Sequence, residues 1–408
     1  MEHLIPQQVK TTKYFSFGTL ILCALAINGL IFLFFRLFYG IGSVTNLDNQ
    51  YPWGLWIAID VAAGVALAAG GFTSAAIGHV MHRDKYHIIV RPALLTAMLG
   101  YTFVAMGVCI DIGRWYYIWH PLVMWNGNSA LFEVGICVMI YLTVLYIEFI
   151  PVVTERFIGN VKLPLFKFLN NPLDKLLRWA DKFFAQTMFV FIIAGIVLST
   201  LHQSSLGTLM VLAGSKMHPL WNTPIMPLLF LLSAISVGFP MVIFESYLAS
   251  KSFKLEFELD VLSHLGALIA PILSIYLAFK IGDMVIRESF FYLAHFNKET
   301  VMFLIEMIVG VVIPIYLFAQ KKVLKSTLGL FIASSLVVFG VVLNRFNTFI
   351  TAYHPPYATK DYFPSIGEFS VTIGFICLLV LVYRFVAMNF PVIGQPDHRS
   401  ELASGGKK

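Results

Sequence analysis

The chain has 408 residues, of which 58% are hydrophobic and only 12% are charged. Soluble domains carry about 25% charged residues, so this composition excludes a cytosolic globular enzyme, a disordered scaffold and a nucleic-acid-binding protein. The net charge of +6 would suit a polyanionic partner, but the basic residues are concentrated in one set of loops and therefore have a simpler cause.

Ten apolar segments follow one another along the chain, and each approaches the ~20 residues that a membrane-spanning helix needs. They cover residues 14–39, 54–80, 89–113, 129–152, 183–201, 223–247, 261–282, 299–319, 326–345 and 367–388. The sequence therefore predicts an all-α integral membrane protein with about ten transmembrane helices. The transmembrane domain is expected to cover residues 1–390, and the polar segment 391–408 is expected to be a disordered tail.

The distribution of basic residues predicts the orientation of the chain. Of its 28 Lys and Arg residues, 20 lie at the termini and at every second connection between the spans. Cytoplasmic loops carry an excess of Lys and Arg, so both termini are predicted to be cytoplasmic. The opposite, outer side holds six of the seven tryptophans, which would suit either an aromatic belt at the lipid interface or a docking surface. We expect the outer loops 40–53, 114–128 and 202–222 to bind a partner protein.

Several carboxylic acids lie inside the apolar segments. A charge near the bilayer centre costs at least a few kcal/mol, so such a group faces protein or water and marks a functional site by default. For any single acid, a structural hydrogen bond or ion pair between helices is the alternative, and for Glu306 and Glu368 it is the simpler interpretation. The other acids within the spans are Asp60, Asp111, Glu133, Glu148 and Glu245.

The predicted topology brings polar residues together near the outer leaflet. Asp111 and Arg114 are three residues apart, a spacing that suits an ion pair on one helix face. We expect one polar cluster beside Trp53 and Trp56, made of Asp60, Asp111, Arg114, Glu133, His202 and Gln203.

A second set of residues is spread across the depth of the membrane. Tyr101 lies in the middle of the third span, while Glu148 and Glu245 lie near the inner ends of the fourth and sixth spans. Together with Glu133 on the outer side, these residues are predicted to form a proton path.

Metal centres are not predicted. The four cysteines lie in apolar segments without metal-ligand or redox spacing, which excludes an iron–sulfur cluster or c-type haem carried by this chain. No two histidines lie convincingly within the spans at one depth, as the axial ligands of a b-type haem would require.

Several sequence blocks resemble a known family. They include YPWGLWIAID at 51–60, VRPALLTAMLGY at 90–101, DIGRWY at 111–116, NSALFEVGICVMIY at 128–141 and LHQSSLGTLMVLAG at 201–214. The chain resembles, over nearly its whole length, the NrfD/PsrC family of integral membrane subunits. It is most similar to the branch that serves periplasmic, quinone-reducing [NiFe] hydrogenases of the hydrogenase-2 type.

The resemblance implies a haem-free subunit in the bacterial cytoplasmic membrane. Such a subunit passes electrons between a periplasmic ferredoxin-like iron–sulfur subunit and menaquinone or ubiquinone, and the small and large hydrogenase subunits complete the complex. Tyr101, Glu133 and Glu245 match positions that the family uses for protons. Asp111, Arg114 and His202 match positions around the quinone, and the whole expected quinone site comprises Trp53, Trp56, Asp60, Asp111, Arg114, His202 and Gln203.

Two other functions fit a polytopic chain with buried acids. The first is a b-type cytochrome subunit that also reacts with quinone. The second is an ion-coupled secondary transporter, whose spans are often interrupted by glycine or proline. Gly64, Gly70, Gly71 and Pro240 are the features that would suit a transporter.

Overall fold

The computed structural model describes residues 4–7, 9, 13–75, 87–161, 167–356 and 358–396. Ten helices in this part of the chain are long and apolar enough to cross a membrane, which confirms the predicted all-helical membrane fold. They are α1 (Phe17–Tyr39), α2 (Trp56–Ser74), α3 (His87–Asp111), α4 (Ala130–Phe157), α5 (Asn170–Ala213), α6 (Met226–Phe253), α7 (Leu259–Ile286), α8 (Lys298–Ala319), α9 (Thr327–Thr351) and α10 (Ile366–Asn389).

Local sequence signals fix where several of these helices begin. Ser16 and Ser365 each form a capping box with the residue three positions later, which satisfies backbone N–H groups at the starts of α1 and α10. Ser129, Asn297 and Ser326 cap α4, α8 and α9 through their side-chain oxygens. The helix starts therefore follow from short polar motifs placed just before apolar segments.

The helices form two groups of four with an additional pair beside them. Helices α2–α5 form one group and α6–α9 the other, and α2 and α6 lie at the centre, where they pack against each other. Helices α1 and α10 pack together closely, because a Cβ placed on Gly29 would lie 2.7 Å from the Gly374 Cα. This pair lies beside α2 and α3.

The two ends of the helical assembly differ. At one end, which we call the tryptophan end, the connections 40–55, 112–129, 214–225, 287–297 and 352–365 join the helices. At the other, the terminal end, β1 (Leu4–Gln7) pairs with β2 (Ile393–Pro396) in an antiparallel sheet. The termini thus lie at the same end, as an even number of spans requires.

The sheet changes the predicted boundary of the tail. Residues 393–396, at the start of the segment 391–408 that we expected to be disordered, form β2 by pairing with the N-terminal segment. The polar composition could not reveal this long-range pairing. The remainder of that segment, 397–408, lies outside the described residues.

Helix α5 is much longer than its predicted span of 183–201. Its 44 residues extend to about 66 Å, roughly twice the ~30 Å of a hydrocarbon core. Residues 202–213, which we assigned to an outer loop, belong to this helix. That assignment was wrong because the run His202-Gln203-Ser204-Ser205 reads as a polar helix end, whereas its side chains pack against α3 and α4.

Candidate functional site

A cluster of buried charges lies between α1, α2, α3 and α10 at the tryptophan end; we call Arg36, Asp60, Asp111 and Glu368 the acid cluster. Arg36 is only 1% exposed, and its guanidinium donates 2.6 Å hydrogen bonds to the carbonyl oxygens of Ile110 and Ile112 at the end of α3. Asp111 lies within electrostatic range of Arg36, Glu368 and Asp60. The end of α3 therefore packs against the only cation of this cluster.

Asp60 occupies a distorted segment of α2. Residues Trp56–Ala63 form π-helical turns, a rare geometry that often occurs at functional sites. The Asp60 carboxylate accepts a 2.7 Å hydrogen bond from the Thr372 hydroxyl of α10. A glycine in α3 permits close packing of α2 against α3 at this point, because a Cβ on Gly107 would lie 3.2 Å from the Asp60 Cβ.

Glu368 connects the start of α10 to the chain before it, which agrees with its interpretation as a structural residue. Its Oε2 accepts hydrogen bonds from the backbone N–H groups of Ser365 and Asn46, at 2.9 and 3.1 Å, and its Oε1 accepts one from the Tyr362 hydroxyl. The buried indole of Trp56 donates to the Glu368 carbonyl oxygen at 3.2 Å. Trp56 is therefore a component of this site.

The other tryptophans of this end have different surroundings. Trp53 is half-buried against the rings of Phe349 and Tyr353. Trp115, Trp119 and Trp125 are exposed, and Trp125 is 77% exposed. They lie in the connection 112–129 between short 3₁₀ turns, where they are accessible to lipid or to a partner.

A second group of polar residues lies between α3, α4 and α5; we call it the tyrosine–histidine cluster. The His202 Nδ1 lies 3.3 Å from the Tyr101 hydroxyl, and the Tyr101 and Tyr141 rings meet edge to face with centroids 4.4 Å apart. The Ser205 hydroxyl donates a 2.5 Å hydrogen bond to the Glu133 Oε1.

Several polar atoms around the tyrosine–histidine cluster have unused hydrogen-bonding capacity. His202 and Gln203 are completely buried within α5. Among the described residues, neither the His202 Nε2 nor either polar atom of the Gln203 amide has a hydrogen-bond partner. Buried polar groups are normally paired, so these atoms are suited to a ligand or to water.

The predicted single outer cluster is therefore wrong in its arrangement. Asp60 and Asp111 belong to the acid cluster, whereas Glu133 and His202 belong to the tyrosine–histidine cluster. Arg114 belongs to neither cluster. It is exposed and lies three residues beyond Asp111, the last residue of α3, so the helical three-residue spacing does not apply to it. Arg36, rather than Arg114, is the cation beside Asp111.

The remaining predicted proton-path acids lie farther toward the terminal end. Glu148 is 15 residues after Glu133 on α4, about 22 Å along the axis, and its carboxyl lies against Gly195 of α5. Glu245 of α6 lies beside Thr96 and Tyr383 and lines a cavity of about 40 Å³. These acids therefore lie at different positions along their helices.

Helices α6–α9 contain a polar network that the sequence did not predict. The Glu306 carboxylate accepts hydrogen bonds from the Trp221 indole and from the Asn344 and Asn347 amides, at 2.7–3.0 Å. Arg345 is completely buried, and its guanidinium donates to the Ser233 hydroxyl and lies over the Phe230 ring. Glu306 thus ties α8 to α9, in agreement with its simpler, structural interpretation.

Sequence reasoning missed several of these residues for identifiable reasons. Arg36 and Arg345 are single cations at the ends of apolar segments, where the sequence does not distinguish them from loop charges. Thr372 and Ser205 are small hydroxyl residues without a distinguishing pattern. Within the described part of the chain, no group of three or more His, Cys, Asp or Glu residues is arranged to hold a metal ion.

The chain is similar to several known proteins over most of its length. It is 37% identical to a protein of Nitratidesulfovibrio vulgaris over 94% of this chain and 96% of that one. It is 32% identical to the probable Ni/Fe-hydrogenase 2 b-type cytochrome subunit of Escherichia coli K12, over 90% and 91% of the two chains. It is 26% identical to the menaquinone reductase integral membrane subunit of N. vulgaris, over 87% and 86%.

A family match agrees with these similarities. Residues 43–355 match the family described as polysulphide reductase, NrfD, which leaves α1 and α10 outside the matched range. Arg36, Glu368 and Thr372 therefore lie outside the family match, although the acid cluster joins them to Asp60 and Asp111 within it. The sequence, the ten-helix fold and this match agree that the chain is a member of the NrfD family of membrane subunits of redox complexes.

Proposed function

We propose that the chain is the quinone-reactive membrane subunit of a respiratory redox complex in the bacterial cytoplasmic membrane. In this proposal it passes electrons from a periplasmic ferredoxin-like iron–sulfur subunit to menaquinone or ubiquinone. The observation that carries the proposal is that two polar clusters both include a residue of α3, Asp111 at its tryptophan end and Tyr101 nearer its middle. The names of the relatives, a hydrogenase subunit and a menaquinone reductase subunit, support the same chemistry.

The residues of these clusters fit a quinone headgroup. Reduction of a quinone by two electrons also takes up two protons, so both carbonyl oxygens need donors within hydrogen-bond reach. The acid cluster supplies carboxyl groups for the headgroup, and the unpartnered His202 Nε2 and Gln203 amide of the tyrosine–histidine cluster would pass protons toward it. Trp53 and Trp56 provide apolar walls at this end, and we do not include Arg114 in the site because it is exposed.

The proton path in this proposal runs from the terminal end to the quinone. Glu245 and Glu148 lie toward the terminal end, and Tyr101 and Glu133 belong to the tyrosine–histidine cluster. The separations along the helices exceed one hydrogen bond, so bound waters are required between these groups. If the terminal end is cytoplasmic, as its basic residues predict, quinone reduction with a periplasmic donor would generate a membrane potential.

The proposed electron donor is a [NiFe] hydrogenase. Its small and large subunits would deliver electrons from hydrogen through the iron–sulfur subunit. The connections 40–55 and 112–129 at the tryptophan end are the proposed docking surface, because 112–129 is rich in exposed aromatic residues, which are enriched at protein interfaces. The connection 214–225 replaces the predicted loop 202–222, since residues 202–213 are helical.

We further propose that the chain binds no haem, although the E. coli relative is named a b-type cytochrome subunit. A b-type haem needs two axial histidines on facing helices. Among the histidine side chains that the structure describes, only His202 is fully buried, and its Nδ1 lies against Tyr101. This donor set does not fit a bis-histidine haem.

One preparation tests these proposals together. The complex is purified in mild detergent through a tag on this chain, and its subunits are identified. We expect an iron–sulfur subunit and both hydrogenase subunits to co-purify, hydrogen to reduce a menaquinone analogue, and the reduced-minus-oxidised spectrum to lack a b-haem band. A haem band that follows this subunit would favour the cytochrome alternative. Co-purification with no quinone reduction would contradict the quinone proposal itself.

A further inference from the structure

A polar cavity lies at the terminal end between α3, α6, α10 and the connection 254–258. It has a volume of about 40 Å³, and its lining includes Glu245 of α6, Tyr383 of α10, and Glu256 and Glu258 of the connection. Ile393 of β2 closes one side, so the paired termini form part of its wall. The cavity thus joins the Glu245 carboxyl, whose Oε1 is buried, to the exposed Glu256.

The inner part of this cavity is suited to water. In the part of the chain that the structure describes, the Glu245 Oε1 and the Tyr383 hydroxyl are buried at this cavity, close to each other but without a well-formed hydrogen bond. A space that can hold a water needs roughly 10–15 Å³ and two or more polar partners. The volume and these two groups meet both requirements, so water molecules can connect Glu245 to the outer part of the cavity.

Glu258 is oriented in an unusual way for its position. It is the N-cap residue of α7, where an acidic side chain commonly accepts a hydrogen bond from the backbone of the first turn. Its side chain makes no such bond. The connection turns at Lys254, which has a left-handed φ of 58°, and the Glu258 carboxyl lines the cavity instead.

The surroundings of Glu258 favour a group that exchanges protons near neutral pH. Burial raises the pKa of Glu258 to about 7. The titratable groups that line the cavity with it are Glu245 from α6, Glu256 from its own connection and Tyr383 from α10. Helix α3 contributes Ile89 and Pro92, and β2 contributes Ile393, so no cation of these elements lines the cavity.

We propose that Glu258 is the proton-uptake group of the terminal end, which binds a proton from solvent and transfers it through cavity water to Glu245. The carboxylate of Glu258 gains a proton from bulk water, and the resulting acid gives it to the water beside Glu245. Glu258 then returns to the carboxylate and can repeat the cycle. This inference rests on the proposed function, because it names the solvent-side group of the same proton path.

The test compares Glu258→Gln with Glu256→Gln in the complete complex, reconstituted in sealed vesicles with hydrogen and a menaquinone analogue. Glu256 lines the same cavity and carries the same charge, but it is exposed, so its substitution is a matched control. We expect Glu258→Gln to lower the rate of quinone reduction and the membrane potential at least 10-fold at and below pH 7, where Glu258 of the wild type is protonated. Glu256→Gln should change both less than twofold, and Glu258→Asp should restore much of the activity.

The pH profile separates proton uptake from a structural role. The wild-type rate should fall as the pH rises through the pKa of Glu258, and this inflection should disappear in Glu258→Gln. Co-purification of all subunits shows whether each variant assembles. A Glu258→Gln complex with the wild-type rate, membrane potential and pH inflection would overturn the inference about Glu258. If Glu245→Gln lost activity in the same experiment, the proposed function would still stand. A wild-type complex that reduces no quinone would overturn both.

Discussion

The Thr372 hydroxyl donates a 2.7 Å hydrogen bond to the Asp60 Oδ2 and so joins α10 to the π-helical turns of α2. The Thr372 hydroxyl is the hydrogen-bond donor that the structure records for the buried Asp60 carboxyl group. An unpaired buried polar group costs about 1–3 kcal/mol, and more when it is charged. The position of Asp60 in the acid cluster therefore depends on α10, which belongs to neither of the two groups of four helices.

We expect Thr372→Val to lower quinone reduction about 10-fold without preventing assembly. Valine keeps the shape of threonine but cannot donate, so the Asp60 carboxyl would shift or change its protonation. Thr372→Ser keeps the hydroxyl and should retain most of the activity. The measurement is the rate of hydrogen-dependent quinone reduction by purified complexes of equal subunit content. Equal rates for the valine and serine variants would contradict a role for this hydrogen bond.

Arg36 and Arg114 provide a second comparison at the tryptophan end. Arg36 is buried beside Asp111 and binds two carbonyl oxygens of α3, whereas Arg114 is exposed. Removal of one partner from a buried charge interaction costs about 3–5 kcal/mol. We therefore expect Arg36→Gln to lower both the yield of assembled complex and quinone reduction at least 10-fold, while Arg114→Gln changes them less than twofold. The measurements are subunit content and quinone reduction on the same preparation of each variant. A large loss in Arg114→Gln with little change in Arg36→Gln would restore Arg114 to the site.

The sequence was sufficient to predict the architecture because the physical requirement is simple. A membrane-spanning helix must satisfy its backbone internally and present about 20 apolar residues to lipid, and ten segments meet that requirement. The start of α10 was also predictable, since Ser365 and Glu368 form a capping box. Helix α5 was truncated in the prediction because its polar segment around His202 packs against tyrosine and glutamate side chains of neighbouring helices.

The arrangement of the site could not be predicted in the same way. Depth in the membrane follows from position along a span, but the choice of neighbouring helix depends on the direction in which each side chain points. Asp111 and Tyr101 lie on the same helix, yet they contact different partners, Arg36 of α1 and His202 of α5. The sequence does not reveal that α1 and α10 pack beside α2 and α3, so Arg36 and Thr372 could not be assigned to the site.

The contact between Ser205 and Glu133 leads to a third prediction. The Ser205 hydroxyl donates to the Glu133 Oε1 across the α4–α5 interface at 2.5 Å. We expect Ser205→Ala to lower quinone reduction several-fold, because Glu133 loses a donor that orients its carboxyl. Glu133→Gln should lower it more than 10-fold, because the amide cannot carry a proton through ionisation. Ser204→Ala on the same helix is the control, and a Glu133→Gln complex with unchanged activity and membrane potential would remove Glu133 from the proton path.

The network around Glu306 should control stability rather than quinone chemistry. Glu306 is 1% exposed and accepts hydrogen bonds from Trp221, Asn344 and Asn347, so its substitution would leave these donors unpaired. Its negative charge also offsets the buried cations Lys280 and Arg345. We expect Glu306→Ala to lower the free energy of unfolding by about 3–5 kcal/mol, the range for breaking a buried charge interaction. Unfolding in mixed micelles with an increasing fraction of SDS measures this change.

Glu299 is a control for Glu306 because it lies on the same helix, and its carboxyl has one recorded partner, the half-exposed imidazole of His354 at 3.3 Å. An ion pair with a solvent-exposed partner contributes about 0–1 kcal/mol, so Glu299→Ala should affect unfolding less than Glu306→Ala. The Glu306→Ala complex that does assemble should reduce quinone at a rate within about twofold of the wild type, because the network lies in α6–α9 and away from both clusters on α3. A Glu306→Ala variant with normal stability but a lost membrane potential would instead place Glu306 on a proton path through the second group of helices.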